Sequence, residues 1–315
     1  MNPGRNIRFL TLAIAAIALL GLVGCGQTDK SVAPPVSGTN PFSAAKVGTD
    51  TTLEVMTWNL QNFAKKGAVT ADYVIDAVQG LDVDIVALQE IENFTYFRQV
   101  REGLAGWDGD RATSASYSVN LAFLYRIDGP LEVDTVTEIL GGYSREFPRR
   151  PFVLEGRFQG KPFVVINNHY KCCGNGTIDE TDSWDEETRR RDASLLLDSY
   201  IRANYADKRV FLVGDLNDEL TDAPARNVFQ NFLDAPDTYR FVDMAIAEGP
   251  SSGFSFPTWP SHLDHILINA PLFAAAQGGE AMVQVAPLHT YLPSGWATYG
   301  SSISDHLPVV LKLKP

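Results

Sequence analysis

Positive charge is what this sequence has least of relative to need. Its 315 residues carry 26 Lys and Arg against 38 Asp and Glu, a net charge of −12. A protein that holds nucleic acid by releasing counterions normally shows the opposite sign, which argues against tight, non-catalytic nucleic-acid binding. An enzyme that recruits cations to meet an anionic substrate is not. Internal punctuation is also scarce: beyond residue 50 there is no Pro/Ser-rich linker and no internal repeat, which argues against a multidomain array. Charged residues make up only 20% and hydrophobic residues 45%, so most of the chain is not disordered.

The longest apolar run, FLTLAIAAIALLGLV, follows Arg5 and Arg8 and is short for a membrane span. It meets Leu22-Val23-Gly24-Cys25, which resembles the bacterial lipobox, whose cysteine is lipidated and becomes the mature N-terminus. Residues 1–24 are therefore expected to be a lipoprotein signal peptide, with Cys25 the lipidated residue. Gly26 and Gln27 follow, with no aspartate to favour inner-membrane retention, so the expected location is the bacterial envelope, tethered by lipid to the outer membrane in a Gram-negative host. Without Arg5 and Arg8 the mature chain has 24 basic and 38 acidic residues, net −14. Residues 25–50, rich in Ser, Thr, Pro and Gly, read as a flexible tether, and 51–315 as one domain.

Within that domain, short Val/Ile/Leu/Phe runs recur: LEVMTWN, DIVALQE, LAFLYR, PFVVINNH, VFLVGD, LDHILI and LPVVLKL. These read as strands, several apolar on both faces and therefore sandwiched. Helical patterns lie between some of them, at 70–80, 93–104 and 222–233. The clearest is SWDEETRRRDASLLLDSYIRANY, where Ser183 and Glu186 form a capping box. Together these predict a layered α/β sandwich with mixed sheets.

Four runs end in a polar group: Asn59, Glu90, His169, and Asp215 with Asn217. Two begin with one: Asp264, and Asp305 with His306. In a mixed sheet the C-terminal ends of strands running one way lie beside the starts of strands running the other, so all six groups can converge at one edge. Each has a plain reading alone, as a turn residue, a helix cap or a satisfied histidine. Carboxylates, amides and two histidines without cysteine suit a hard cation such as Mg²⁺, Mn²⁺ or Ca²⁺ better than zinc.

The segments WN at 58–59, LQE at 88–90, NH at 168–169, GDLND at 214–218, LDHIL at 263–267 and SDHLPV at 304–309 resemble, in order and rough spacing, the endonuclease/exonuclease/phosphatase superfamily. That superfamily includes pancreatic-type deoxyribonucleases, AP endonucleases, bacterial sphingomyelinases and inositol polyphosphate 5-phosphatases. The resemblance implies a four-layered α/β sandwich, two mixed β-sheets flanked by helices, and metal-assisted phosphoester hydrolysis with Mg²⁺ or Mn²⁺. It implies Glu90 as the principal metal carboxylate, with Asn59 and Asp305 near the ion. It further implies Asp215 and Asn217 orienting water and phosphate, His306 as general base paired with Asp264, and His169 donating to the phosphoryl group or the leaving oxygen. Pancreatic-type deoxyribonucleases place a glutamate before the strand matching LAFLYR to partner the first histidine. Here SYSVNLAFLYR offers no acid, leaving His169 without a carboxylate or with Asn120. Arg126 and Arg149-Arg150-Pro151 could clamp a phosphate, against a plainer reading as solvated surface arginines. His262 and His265 flank Asp264; His265 points to the opposite strand face from Asp264 and suits packing, while His289 has no motif around it.

With Cys25 lipidated, the thiols left are the neighbours Cys172 and Cys173. They make a poor zinc site with His169. A vicinal disulfide stiffening the rim after His169 and a pair of free or intermolecularly paired thiols both stay open. The acids of GTIDETDSWDEE could hold a structural Ca²⁺, although carboxylates favour a helix N-terminus anyway. Among substrates, DNA or RNA leads, cut by an extracytoplasmic endonuclease. The alternatives are a sphingomyelinase-like enzyme, with Trp259 and Trp296 as lipid-facing aromatics, a small-molecule phosphatase or phosphodiesterase, and an inactive surface binding module. GDLNDEL and FPTWPSHLDHIL depart from the inositol phosphatase pattern. Beyond the substrate and the membrane met through its lipid, no obligate protein partner is evident.

Overall fold

The computed structural model describes residues 39–115 and 119–315. The expected signal peptide and Cys25 lie outside them. Twelve strands are present among the described residues: β1 Leu53–Phe63, β2 Ile85–Ile91, β3 Trp107–Arg111, β4 Asn120–Arg126, β5 Leu131–Glu138, β6 Phe152–Phe158, β7 Lys161–His169, β8 Arg209–Asp215, β9 Tyr239–Phe241, β10 Asp264–Asn269, β11 Met282–Val285 and β12 Val309–Leu313. The three long helices are α1 Ala68–Leu81, α2 Phe94–Gly103 and α3 Glu186–Asn204.

The strands form two six-stranded sheets, ordered β11-β12-β1-β2-β4-β3 and β5-β6-β7-β8-β10-β9. Alternate side chains of a strand face opposite sides, and both sides of the central strands are apolar. Leu53 and Val55 of β1 face the core between the sheets, where they join Val165, Phe211, Val213 and Ile266. Met56, Trp58 and Leu60 of the same strand face an outer core with Val74 and Val78 of α1 and Phe97 of α2. On the far side Val164, Ile166 and Leu212 pack with Ala193, Leu197 and Ile201 of α3. The result is the expected four layers, helix, sheet, sheet, helix.

Both sheets follow one plan. The central pair is parallel, β1 with β2 in one and β7 with β8 in the other, and every other pairing is antiparallel. Asn59, Glu90, His169 and Asp215 thus all stand toward the C-terminal ends of the parallel strands. The antiparallel neighbours β10 and β12 begin at that same edge, bringing Asp264 and His306 to it.

Several local expectations are corrected. The tether ends earlier than residue 50: Phe42 is fully buried and Val47 nearly so, and Asn40 Nδ2 donates to Asp76 O of α1 at 2.7 Å. The α3 cap is Asp185, which accepts from Thr188 N, rather than Ser183. Of 222–233 only Gln230–Leu233 is helical. The turns before it are held by Asn227, whose Nδ2 donates to Leu220 O and Asp222 O. The strands missed are β3, β5, β6, β9 and β11. Most are short or half-exposed, with charges interrupting their apolar residues. No helix among the described residues is long and apolar enough to cross a membrane.

Candidate active site

Two irregular strand ends shape the site. The pairing of β2 with β4 shifts between Leu88 and Ile91, and Glu90 within that shift has φ +61°. The pairing of β1 with β2 shifts after Asn59, with Gln61 at φ +40° and Asn62 at +51°. Such bulges re-aim side chains, and non-glycine residues held at positive φ cluster at functional sites. Here they turn Glu90 toward Asn59: its Oε1 accepts from Asn59 Nδ2 at 3.2 Å, and its Oε2 from Asn62 N at 2.8 Å.

Asn59 also donates to Asp215 Oδ2 at 2.8 Å, while its Oδ1 accepts from Gln61 N at 2.9 Å. Flipping the amide would set its oxygen against two carboxylates. Asn59 therefore ties Glu90 to Asp215. Asp215 is the hub. Its Oδ1 accepts from Asn217 N at 3.1 Å, and its Oδ2 lies 3.5 Å from His169 Nε2 and 3.9 Å from His306 Nε2. Burial raises the Asp215 carboxyl to about 6, opposed by His306.

His306 Nδ1 donates to Asp264 Oδ2 at 2.7 Å. Its backbone N donates to Ser304 Oγ, which in turn donates to Asn59 O, and the ring of Phe256 lies 4.6 Å from its own. Burial works against charge on this imidazole, yet Asp264, Asp215 and Asp305 together lift it to about 10. His169 is the contrast. Burial first, then Arg149 and His306, hold it well below the ordinary range, so this ring is a neutral imidazole. Its Nδ1 has no hydrogen-bond partner among the described residues, Asn120 included, and the carboxylates near the ring lie at Nε2, Asp215 at 3.5 Å and Glu90 at 4.0 Å. Asn120, paired across from Ile91, stands at the site edge but is buried and turns its Oδ1 to Ala115 N.

Only one of the two candidate arginine positions reaches the site. β4 runs antiparallel to β2, so Arg126 lies with Asp84 at the opposite end from Glu90. There it forms ion pairs with Asp82, Asp84 and Asp128, and it clamps no phosphate at this site. Arg149, the other candidate clamp, is half-buried with Nη2 at 3.4 Å from His169 Nε2. The clue was topological. β6 is antiparallel to β7, with Phe152 opposite Asn167, so residues just before Phe152 must lie near His169. Lys65 was also missed. It donates to Gly300 O at 2.7 Å, and its charge acts on both Asp305 and Glu90.

Cys172 and Cys173 are free thiols whose sulfurs lie 3.0 Å apart. The loop that carries them is held by Arg190. Arg190 is buried on α3, donates to Lys171 O at 2.8 Å and Cys173 O at 2.7 Å, and pairs with Asp218 at 2.8 Å. Several of the acids expected to offer a calcium site accept local donors, Asp179 from Thr181, Asp185 from Thr188 and Glu187 Oε1 from Gly176 N, and Glu180 pairs with Arg191. Ligand oxygens of Asp185, Glu186 and Glu187 still lie close enough together to share a cation, and Glu187 Oε2 is buried without a donor among the described residues. His265 does face away from Asp264, but into polar company. It donates to Asp243 Oδ2 at 2.7 Å and to Asp218 O at 2.9 Å, bracing the loop that carries Asn217.

The donor set fits a hard divalent cation. Glu90, Asp215 and Asp305 converge around the two histidines with no thiolate among them, and Asp305 Oδ1 is buried without a hydrogen-bond donor among the described residues, 4.0 Å from His306 Nε2. A buried orphan carboxylate oxygen is costly unless a cation or donor meets it.

A two-sheet sandwich bearing a carboxylate-backed histidine beside such a cluster defines a phosphoesterase of the metal-dependent kind. The chain belongs to the Endonuclease/Exonuclease/phosphatase family, whose profile matches residues 56–306. No curated protein matches the sequence. Solved structures share the fold. TDP2 from D. rerio in complex with single strand DNA product aligns with a TM-score of 0.63 at 16% identity, over 84% of this chain and 100% of that one. The human Nocturnin catalytic domain with bound sulfate anion gives 0.58 at 16%, over 85% and 96%. An endonuclease/exonuclease/phosphatase from Bacteroides vulgatus gives 0.56 at 15%, over 84% and 98%.

Proposed function

We propose that this protein is a hydrolase of phosphodiesters in nucleic acid, using Mg²⁺ or Mn²⁺, and that it works outside the cytoplasm on a lipid tether at Cys25. The observation that carries the chemistry is the 2.7 Å bond from His306 Nδ1 to Asp264, which leaves Nε2 facing the Asp215 and Asp305 carboxylates. A phosphodiester repels hydroxide, so hydrolysis needs neutralised phosphoryl oxygens and an activated water. Glu90, with Asp215 and Asp305 facing the same space, would hold the cation, which would supply the neutralising charge.

The chain's own groups supply the rest. His306 Nε2 accepts the proton of the attacking water while Asp264 fixes the tautomer. Asp215 and Asn217 orient that water. His169, uncharged, suits hydrogen-bond donation to a phosphoryl oxygen better than acid catalysis, and Arg149 beside it offers a cationic donor. Water adds to phosphorus, the ester oxygen departs, and that oxygen takes its proton from solvent.

Nucleic acid is favoured because a structural neighbour, TDP2 from D. rerio, was solved with single strand DNA product. The leader at residues 1–24 supports export. A second reading, a phosphodiesterase on lipid headgroups, draws on Trp259, 76% exposed and three residues from Phe256 at His306. The deciding experiment offers residues 26–315 DNA, RNA, sphingomyelin and inositol phosphates with Mg²⁺, Mn²⁺, Ca²⁺ or EDTA. Metal-dependent cutting of nucleic acid, reduced by about 10²–10⁴-fold in His306→Ala, is the expected result. Turnover of lipid alone would replace the substrate assignment, and no turnover would favour a binding module.

A further inference from the structure

A cavity of about 380 Å³ opens where the loop after β7 meets the start of α3. Its wall joins the catalytic groups through Arg149, whose Nη2 is 3.4 Å from His169 Nε2. Lys171, two residues beyond His169, and Arg189 of α3 complete a cationic lining. Three cations on one cavity are conspicuous in a chain of net charge −12. Arg149 has no carboxylate at ion-pair distance among the described residues, and Lys171 has one, Glu186, at 3.7 Å. Ser144, Pro148 and Cys172 also line it, and its aromatic wall is Trp184, 64% exposed, with the Arg189 guanidinium carbon 5.4 Å from its ring. Arg189 is itself pinned, donating from Nε to Arg145 O at 2.6 Å.

We propose that this cavity is a nucleotide subsite, holding the unit next to the scissile phosphodiester. Its phosphate lies against Arg149 and Lys171, and its base stacks on Trp184. The inference rests on the nucleic-acid reading above and names where that substrate runs. A nucleotide brings both features the wall matches, an anion and a flat aromatic ring, and the volume suits a ligand of that size. An inorganic phosphate brings only the anion, and a phosphocholine headgroup adds a cation that the three positive side chains of this lining repel. Stacking does not discriminate between bases, so the subsite confers direction along the strand without sequence preference.

The test is equilibrium binding of fluorescein-labelled single-stranded pentathymidine, followed by anisotropy in EDTA so that nothing is cut. Trp184→Ala is expected to weaken binding roughly tenfold and Trp184→Phe to recover most of it. Lys171→Ala should weaken binding and lower the slope of log affinity against log salt by about 0.7. Unchanged affinity in Trp184→Ala, or no binding by the intact protein, overturns the subsite. Cleavage of the same DNA in Mg²⁺ or Mn²⁺ is measured separately. Trp184-dependent binding without cleavage would keep the subsite and sink the nuclease assignment, and cleavage with Trp184-independent binding would do the reverse.

Discussion

At the scale of single residues, the site separates its two histidines by charge. His306 is surrounded by Asp264, Asp215 and Asp305 and sits at about 10, whereas His169 is buried beside Arg149 and sits well below its ordinary range. A base must be neutral to accept a proton, so activity should rise with pH through the His306 pKa. A divalent cation among the same carboxylates cancels part of the field that holds the proton on. Adding Mg²⁺ is therefore expected to lower the His306 pKa and move the rising limb of the pH–rate profile to lower pH, with EDTA reversing both. Histidine ring resonances titrated with and without Mg²⁺ check this, and an unmoved His306 would contradict it. Asp264→Asn keeps a partner for Nδ1 but removes the charge, so it should depress the metal-free His306 pKa and cut turnover by about 10²-fold. Residues at strand ends within short motifs were legible because position and chemistry coincide there. Arg149 and Arg126 were not, since deciding between them requires knowing which end of β4 and β6 meets the site.

Among elements, the close approach of β7 and β8 is the tightest constraint. Gly214 has φ +146°, and a Cβ there would stand 1.9 Å from Asn168 O. Gly214→Ala must therefore part the two strands that carry His169 and Asp215. Overpacking of this kind costs about 1–3 kcal/mol, and the strained φ adds to it. The expected outcome is a lower melting temperature with turnover lost more steeply than stability. The glycine of GDLND is visible in the sequence, but its reason is not: parallel pairing of β7 with β8 sets it against Asn168. The strongly apolar strands were read correctly for the same reason that the edge strands were missed. β1, β7, β8 and β10 are buried on both faces, while β5 alternates exposed and half-buried residues and carries Glu132, Asp134 and Glu138. The Arg190 clamp on the Cys172–Cys173 loop was likewise hidden in a run of three arginines that looks solvated.

For the whole molecule, the folded unit includes its N-terminal approach. Phe42 is fully buried against α1, and a Cβ at Gly80 would strike it. Phe42→Ala is expected to cost about 3–5 kcal/mol, and a chain beginning at residue 51 should melt below one beginning at residue 39. Thermal denaturation of the two chains checks this; equal melting temperatures would return residues 39–50 to the tether. A lone phenylalanine in a Pro/Ser-rich stretch carries no periodicity to betray its burial.

Both sheets place a parallel pair at their centre, and neither holds a complete set of catalytic groups. Asn59, Glu90 and His306 belong to one sheet, His169, Asp215 and Asp264 to the other, and the bonds that matter, Asn59 to Asp215 and His306 to Asp264, cross between them. A chain whose sheets have formed but not docked therefore contains no base, no hub and no partial activity. Because the groups span residues 59 to 306, their meeting closes very long loops, the slow kind of contact in folding. Regain of turnover on refolding thus times the docking of one half of the molecule onto the other, and lags behind recovery of strand signal.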